Sequence, residues 1–470
     1  MGSGQGRVAR FGVALLVCVA AGWATAGSAL AKPFLYVPNY GTGNVSAFDS
    51  DAAGQLSLLG ASPFAAGMQP FASAATPDGR LLYVTNNGSD EISGYRIAEG
   101  GSLTALNGFP VDADLGPQAV AVDPAGRRLY VAGFDLDRIS VYAIAGNGGL
   151  SEIAGSPFAT GDGPSGLAFT PDGDHLYVPN LGNDNVTAFA VAGNGALSQV
   201  PGSPFSAGDF PSSAAVTPDG ELLYVTNRND DNLSGYSIAG SGSLSATPGS
   251  PYGSGGTNTQ GLVVANGGSR LYVANTGSDN LAIFQITESG FIGQIPGSPA
   301  ATADGPTAVE SNAAGDRVYV TNQYTSNVTS FQVAANGTVA QAPGSPFLLD
   351  GTSPLGRGFA VVDPDEKVTG FRVEAKKKQK LKGKKTKVVV KAGADEDVNL
   401  VAKGKVGKLA LKKAKGAAAS GKLRKLTLKP RSKAVAKKLA KLKKGKAKLT
   451  VEATDEAGNS KSKKVTVKLK

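Results

Sequence analysis

Residues 36–39 read Tyr-Val-Pro-Asn, and the phrase returns with small changes at Tyr83, Tyr130, Tyr177, Tyr224, Tyr272 and Tyr319. Successive tyrosines are 47 residues apart at every step but one, where the step is 48. Twelve residues past each stands another aromatic: Phe48, Tyr95, Tyr142, Phe189, Tyr236, Phe284 and Phe331. Twenty-seven past each stands a proline: Pro63, Pro110, Pro157, Pro204, Pro251, Pro299 and Pro346. Three registers held through seven copies make this a repeat array, and the repeat decides the fold.

Within one copy the local code is strand and turn. Residues 165–170 are short and mostly apolar, and Pro171-Asp-Gly173 is a turn signal. His175–Asn180 is a second strand, Asn183-Asp-Asn185 a turn, and Val186–Val191 a third strand. Gly193-Asn-Gly195 turns the chain into an outer strand at Leu197–Val200. Four short antiparallel strands in about 47 residues make a β-propeller blade. No 3.6-residue apolar period runs through these units, so a helical solenoid is excluded.

The ends predict ring closure. The first copy begins at Tyr36 without an innermost strand. After the seventh, Gly358-Phe-Ala-Val-Val-Asp363-Pro364 matches an innermost strand such as Gln118-Ala-Val-Ala-Val-Asp123-Pro124. The late segment is therefore expected to complete the first blade and so remove the open sheet edges. The predicted fold class is all-β: a seven-bladed propeller closed by strand exchange, then a small Lys-rich domain.

Composition divides the 470-residue chain into two bodies. Residues 374–470 hold 33 Lys and Arg against 7 Asp and Glu, whereas residues 1–373 hold 14 against 30. Arg7 and Arg10 precede an apolar run from Phe11 to Ala26, and Ala29-Leu-Ala31 fits a signal-peptidase site. The expectation is a secretory leader over 1–31, the propeller over 32–373, a basic linker over 374–385 and a β domain over 386–470, with extracytoplasmic localisation. Cleavage near Ala31 removes the sole Cys18, so no disulfide framework exists. A single histidine, His175, rules out multi-His metal sites; neither a metal nor a cofactor is expected.

The tetrapeptides resemble the YVTN β-propeller repeat family, which is similar to the seven-bladed lactonases with 6-phosphogluconolactonase-like members. The resemblance spans about 32–373. It implies the propeller fold and, for the enzymatic relatives, a His, Glu and Arg group at the channel mouth. His175 departs from that pattern: it opens a second strand just past a hairpin, so the catalytic set is not carried over.

Departures from the repeat point to candidate site residues. Glu310 stands nine before a motif Tyr, where Ala74, Ala121, Ala168, Ala215 and Val263 stand in other copies. A carboxylate among small apolar slots is expected to be desolvated or paired. Arg357 is read as taking the place of Pro70, Pro117, Pro164, Pro211 and Pro306, beside Glu310. The single inserted residue lies between Pro251 and Tyr272, where Asn258 and Gln260 are candidate ligand contacts. Asp112 and Asp114 occupy the corresponding loop of an earlier copy. By contrast, Asp90, Asp137, Asp184, Asp231 and Asp279 recur in one turn and read as local backbone caps.

The basic body carries two alternating segments, 446–454 and 464–469, joined by a turn at 455–459, with a helical pattern at 432–444. It resembles the Ig-like β-sandwich appended to secreted bacterial proteins. Its charge suits anionic envelope polymers or acidic polysaccharide. No aromatic follows Phe371, so base stacking and nucleic acid are disfavoured. The sequence-based expectation is a secreted scaffold that binds a ligand or protein partner, with an exported lactonase and a surface-layer component as alternatives.

Overall fold

The structure is a computed structural model. It describes residues 33–363 except 357 and, beyond them, only strands between 372 and 469. Seven five-stranded sheets follow one another around a central channel. Blades are numbered by their motif tyrosines, from Tyr36 in blade 1 to Tyr319 in blade 7. Blade 2 serves as the pattern: Pro70–Ala75 innermost, then Leu81–Asn86, Glu91–Ile97 and outer Leu103–Ala105. A fifth strand of two residues, Val111–Asp112, pairs back on the third and was not foreseen in the four-strand reading.

The motif tyrosines are the wedges between blades. All seven are fully buried. Five hydroxyls donate to a carbonyl in the next blade: Tyr36 to Gly101, Tyr83 to Gly148, Tyr130 to Gly195, Tyr177 to Gly242 and Tyr224 to Gly290. The accepting residues lie at φ between 80° and 93°, a region that favours glycine. Each bond therefore ties one sheet to the turn before its neighbour's outer strand. Tyr177→Phe leaves the buried Gly242 carbonyl unpaired, at a cost of about 1–2 kcal/mol. It should lower the urea midpoint; an unchanged midpoint would count against these bonds as stabilising.

The core is divided in the same way. Seven apolar clusters fill the seven gaps between blades. The last joins Ala308, Tyr319 and Val328 of blade 7 to Leu35, Val37 and Phe48 of blade 1, with Phe359 between them. Ala360–Val362 pairs antiparallel with Phe34–Asn39, so the ring closes as expected.

The register of closure differs from the alignment. Ala360 faces Tyr36, as Ala215 faces Tyr224 in blade 5, whereas the alignment put Val361 there. The proline slot also belongs to Pro354, not to Arg357. The Thr307 hydroxyl donates to the Pro354 carbonyl at 3.0 Å, as Ser165 does to Pro211 at 2.8 Å. Two extra residues thus separate that proline from the closing strand. Gly356 is held against Phe71, where a Cβ would collide with the Phe71 carbonyl. Arg357 itself lies outside the described residues.

Beyond the propeller, Arg372–Glu374 pairs with Val388–Gly393, which pairs with Arg424–Leu428. A second sheet contains the long hairpin of Gly445–Thr454 and Ser460–Leu469, in agreement with the alternation there. The expected helix at 432–444 and the leader lie outside the described residues. Among the described residues, no helix is long and apolar enough to cross a membrane.

Candidate functional site at the channel rim

The rim is built from a repeated clamp. The turn between second and third strands ends on Asp90, Asp137, Asp184, Asp231 or Asp279, each with φ between 48° and 53°. Each carboxylate accepts the backbone N–H of the segment entering the next blade: Gly116 at 2.9 Å, Gly163 at 2.8 Å, Phe210 at 3.0 Å, Asn258 at 2.6 Å and Gly305 at 2.8 Å. Ser326 does the same for Ser353 at 3.1 Å. These residues cap backbone, as their regular recurrence suggested.

The clamped slot itself demands a left-handed conformation. Gly116, Gly163 and Gly305 meet that demand freely, whereas Phe210 (φ 62°), Asn258 (φ 56°) and Ser353 (φ 53°) carry a side chain there, as Gln69 (φ 53°) does at the same place in blade 2. Asparagine tolerates the region, whereas a bulky Phe there is strained. Strain of this kind gathers where a side chain is needed. The Phe210 ring carries the Arg228 guanidinium 5.8 Å from its centroid. Arg228 Nε donates to Asn258 Oδ1 at 2.6 Å.

Arg228 is itself a departure. It lies four past its motif Tyr, where the other blades carry Tyr40, Asn87, Phe134, Leu181, Thr276 and Gln323. The one arginine of its column, the one aromatic of its slot and Asn258 therefore meet at the junction of blades 4, 5 and 6. With Asn229, Asp231 and Thr257 they line a widely open depression of about 460 Å³, within the size range of small-molecule sites. Beyond the Nε bond and the Phe210 ring, no described residue engages the guanidinium, so its terminal nitrogens remain a fork for an anion.

The other sequence candidates go elsewhere. Gln260 is buried in the innermost strand of blade 6, its carbonyl accepting from Thr226 at 2.7 Å. Asp114 pairs with Arg138 and accepts from Ser140. Burial opposes its ionisation, but those hydrogen bonds prevail and hold its carboxyl below the usual range. Asp112 is exposed in the fifth strand of blade 2, opposite Glu91. His175 packs on Gly242, in the second strand of blade 4.

Glu310 lies in the channel, on the innermost strand of blade 7 opposite Tyr319. It helps line a cavity of about 150 Å³ and is the only titratable residue there among the described residues. Desolvation pushes its carboxyl up to about 8. Among the described residues, no group of three or more His, Cys, Asp or Glu could hold a metal ion.

A seven-bladed propeller with a pocket on its channel rim is the class that fold and geometry define. Residues 25–258 and 244–345 match the Lactonase, 7-bladed beta-propeller family, and the chain belongs to it. Solved structures share the fold at low identity. The periplasmic gluconolactonase of Pseudomonas aeruginosa is 20% identical with a TM-score of 0.60, over 70% of this chain and 99% of that one. A Bacteroides fragilis protein provisionally assigned as a 6-phosphogluconolactonase is 18% identical with a TM-score of 0.63, over 72% and 99%. No curated protein matches the chain.

Proposed function

We propose that this chain is a lactonase that hydrolyses sugar-type lactones bearing a negative charge, bound in the rim pocket between Arg228 and Phe210. Membership of the lactonase family supports the reaction class. The observation that carries the site is the open fork of Arg228, braced by Asn258 and backed by the Phe210 ring. A planar guanidinium so fixed recognises a carboxylate or phosphate at little cost in ordering. Among the described residues, Asp231 is the only carboxylate lining this pocket. One of its oxygens accepts the Asn258 N–H, and the other receives the proton of the attacking water. Water adds to the lactone carbonyl, the acyl C–O bond of the ring breaks, and the proton held by Asp231 passes to the departing ring oxygen, which becomes a hydroxyl as the acyl carbon becomes a carboxyl. Export by the leader and retention at anionic envelope polymers through residues 374–470 complete this reading. The scaffold expectation draws on the basic C-terminal body and on the family's catalytic set not being carried over; family membership favours the lactonase reading.

A panel of aldonolactones, with and without a phosphate or carboxylate, tests the proposal. The full chain should turn over the charged members, and Arg228→Ala should raise KM for them by about 10- to 100-fold, the loss of a charge-assisted bidentate contact. Neutral lactones should change far less. No turnover of any lactone, or equal kinetics in the variant, would remove the assignment.

A further inference from the structure

We propose that the central channel is a binding site for a short alkylammonium ion, held by Glu310 of blade 7, Ser213 of blade 5 and Gln118 of blade 3. These residues face one cavity of about 150 Å³. Two other hydroxyls on its wall are already committed. Ser73 donates to the Tyr36 carbonyl and accepts the Ala360 N–H, both at 3.0 Å, and Ser165 donates to Pro211. No hydrogen bond to a described residue engages the Ser213 hydroxyl, the Gln118 amide or the Glu310 carboxyl. The three unspent groups sit two, two and three blades apart around the ring, so they converge on the lumen from three sides.

The chemistry selects the ligand. One carboxylate balances one positive charge, whereas divalent ions want several carboxylates and six or more oxygens. Three oxygen acceptors match the three N–H donors of a primary ammonium. Ala119, Val120, Leu167, Ala214 and Leu262 supply apolar wall for a short alkyl stem. The cavity shares no lining residue with the rim pocket, so the two sites are separate.

Binding must be linked to a proton. Burial keeps Glu310 largely protonated at pH 7, its carboxyl pushed up to about 8. Among the described residues no other titratable group lines the cavity. Tyr319, paired with Glu310 on the adjoining strand, is itself pushed well up by burial and stays neutral. A cation favours the carboxylate, so each binding event at pH 7 should release up to about 0.9 proton, falling towards zero above pH 9.

Calorimetric titration of the full chain with ethylammonium, at pH 7 in two buffers of different ionisation enthalpy, reads both binding and proton release. The expected result is a saturable heat with the stated proton release. Glu310→Gln, which keeps shape and removes charge, should bind at least about tenfold more weakly, a loss of 1.4 kcal/mol or more, with its folding checked by circular dichroism. Tetramethylammonium, which has the charge without the N–H donors, should bind poorly. Absence of saturable heat would overturn the proposal and leave Glu310's counter-charge to the chain itself, with Arg357 the first candidate. Equal binding by Glu310→Gln, or by tetramethylammonium, would also overturn it.

Discussion

Glu310→Gln should leave stability unchanged near pH 4 and raise it increasingly between about pH 5 and 8. The folded carboxyl titrates near 8 and the unfolded one at the ordinary 4.5. A carboxyl whose pKa rises on folding binds its proton more tightly in the native state. Its contribution is therefore intact below the unfolded value and is lost as pH climbs to the folded one. The loss accrues at about 1.4 kcal/mol per pH unit, so the total is several kcal/mol, of the order of a domain's whole margin. The glutamine does not titrate and escapes it. Urea midpoints of parent and variant at pH 4, 6, 8 and 9, in amine-free buffers, measure the gap directly. Other titrating groups cancel in the difference. Curves that stay parallel across the range would mean that the channel carboxyl is solvated.

The propeller was legible because its contacts are periodic in the chain. Tyr36 reaches Gly101 and Tyr83 reaches Gly148, each 65 residues ahead, and the span becomes 66 only where the inserted residue intervenes, from Tyr224 to Gly290. A repeat read in one dimension is here a repeat of hydrogen bonds in three. The closing strand escaped that logic. Gly358-Phe-Ala-Val-Val is a run of small and apolar residues that fits the innermost slot in more than one register, and no following tyrosine fixes it. A one-residue slip interchanges the two faces of a strand, so only packing of Phe359 and Ala360 on opposite neighbours selects the register. The site divided similarly. Glu310 was visible as an exception in a slot compared, and Asn258 through the single inserted residue beside it. Phe210 and Arg228 are exceptions too, in slots whose meaning depends on a positive φ and on proximity across blades. Comparing those columns of the repeat would have shown an arginine among neutral residues and a phenylalanine in a column that otherwise holds only glycine, glutamine, asparagine and serine.

Phe359→Ala should destabilise the ring by about 3–5 kcal/mol, the usual cost of emptying a fully buried aromatic site. Phe359 is 3% exposed and fills the gap between blades 7 and 1. Every other blade is continuous in the chain from innermost to outer strand, so loss of one contact leaves its strands tethered. Blade 1 alone joins strands from opposite ends of the propeller, and among the described residues three pairs hold them: Phe34 with Val362, Leu35 with Val361 and Tyr36 with Ala360. In a structure stabilised by neighbour interfaces, the weakest covalent junction depends most on packing. Leu167→Ala, in the innermost strand segment of blade 4 and only half-buried, provides the comparison. Hydrogen exchange should separate the two. In Phe359→Ala, protection should fall first in Phe34–Asn39, which becomes an unpaired edge when Ala360–Val362 lifts away. In Leu167→Ala the loss should stay within blade 4 and its neighbours. If Phe34–Asn39 kept its protection while the rest of the ring loosened, closure would have to reside in the tyrosine and cluster contacts between blades, with the exchanged strand a passenger upon them.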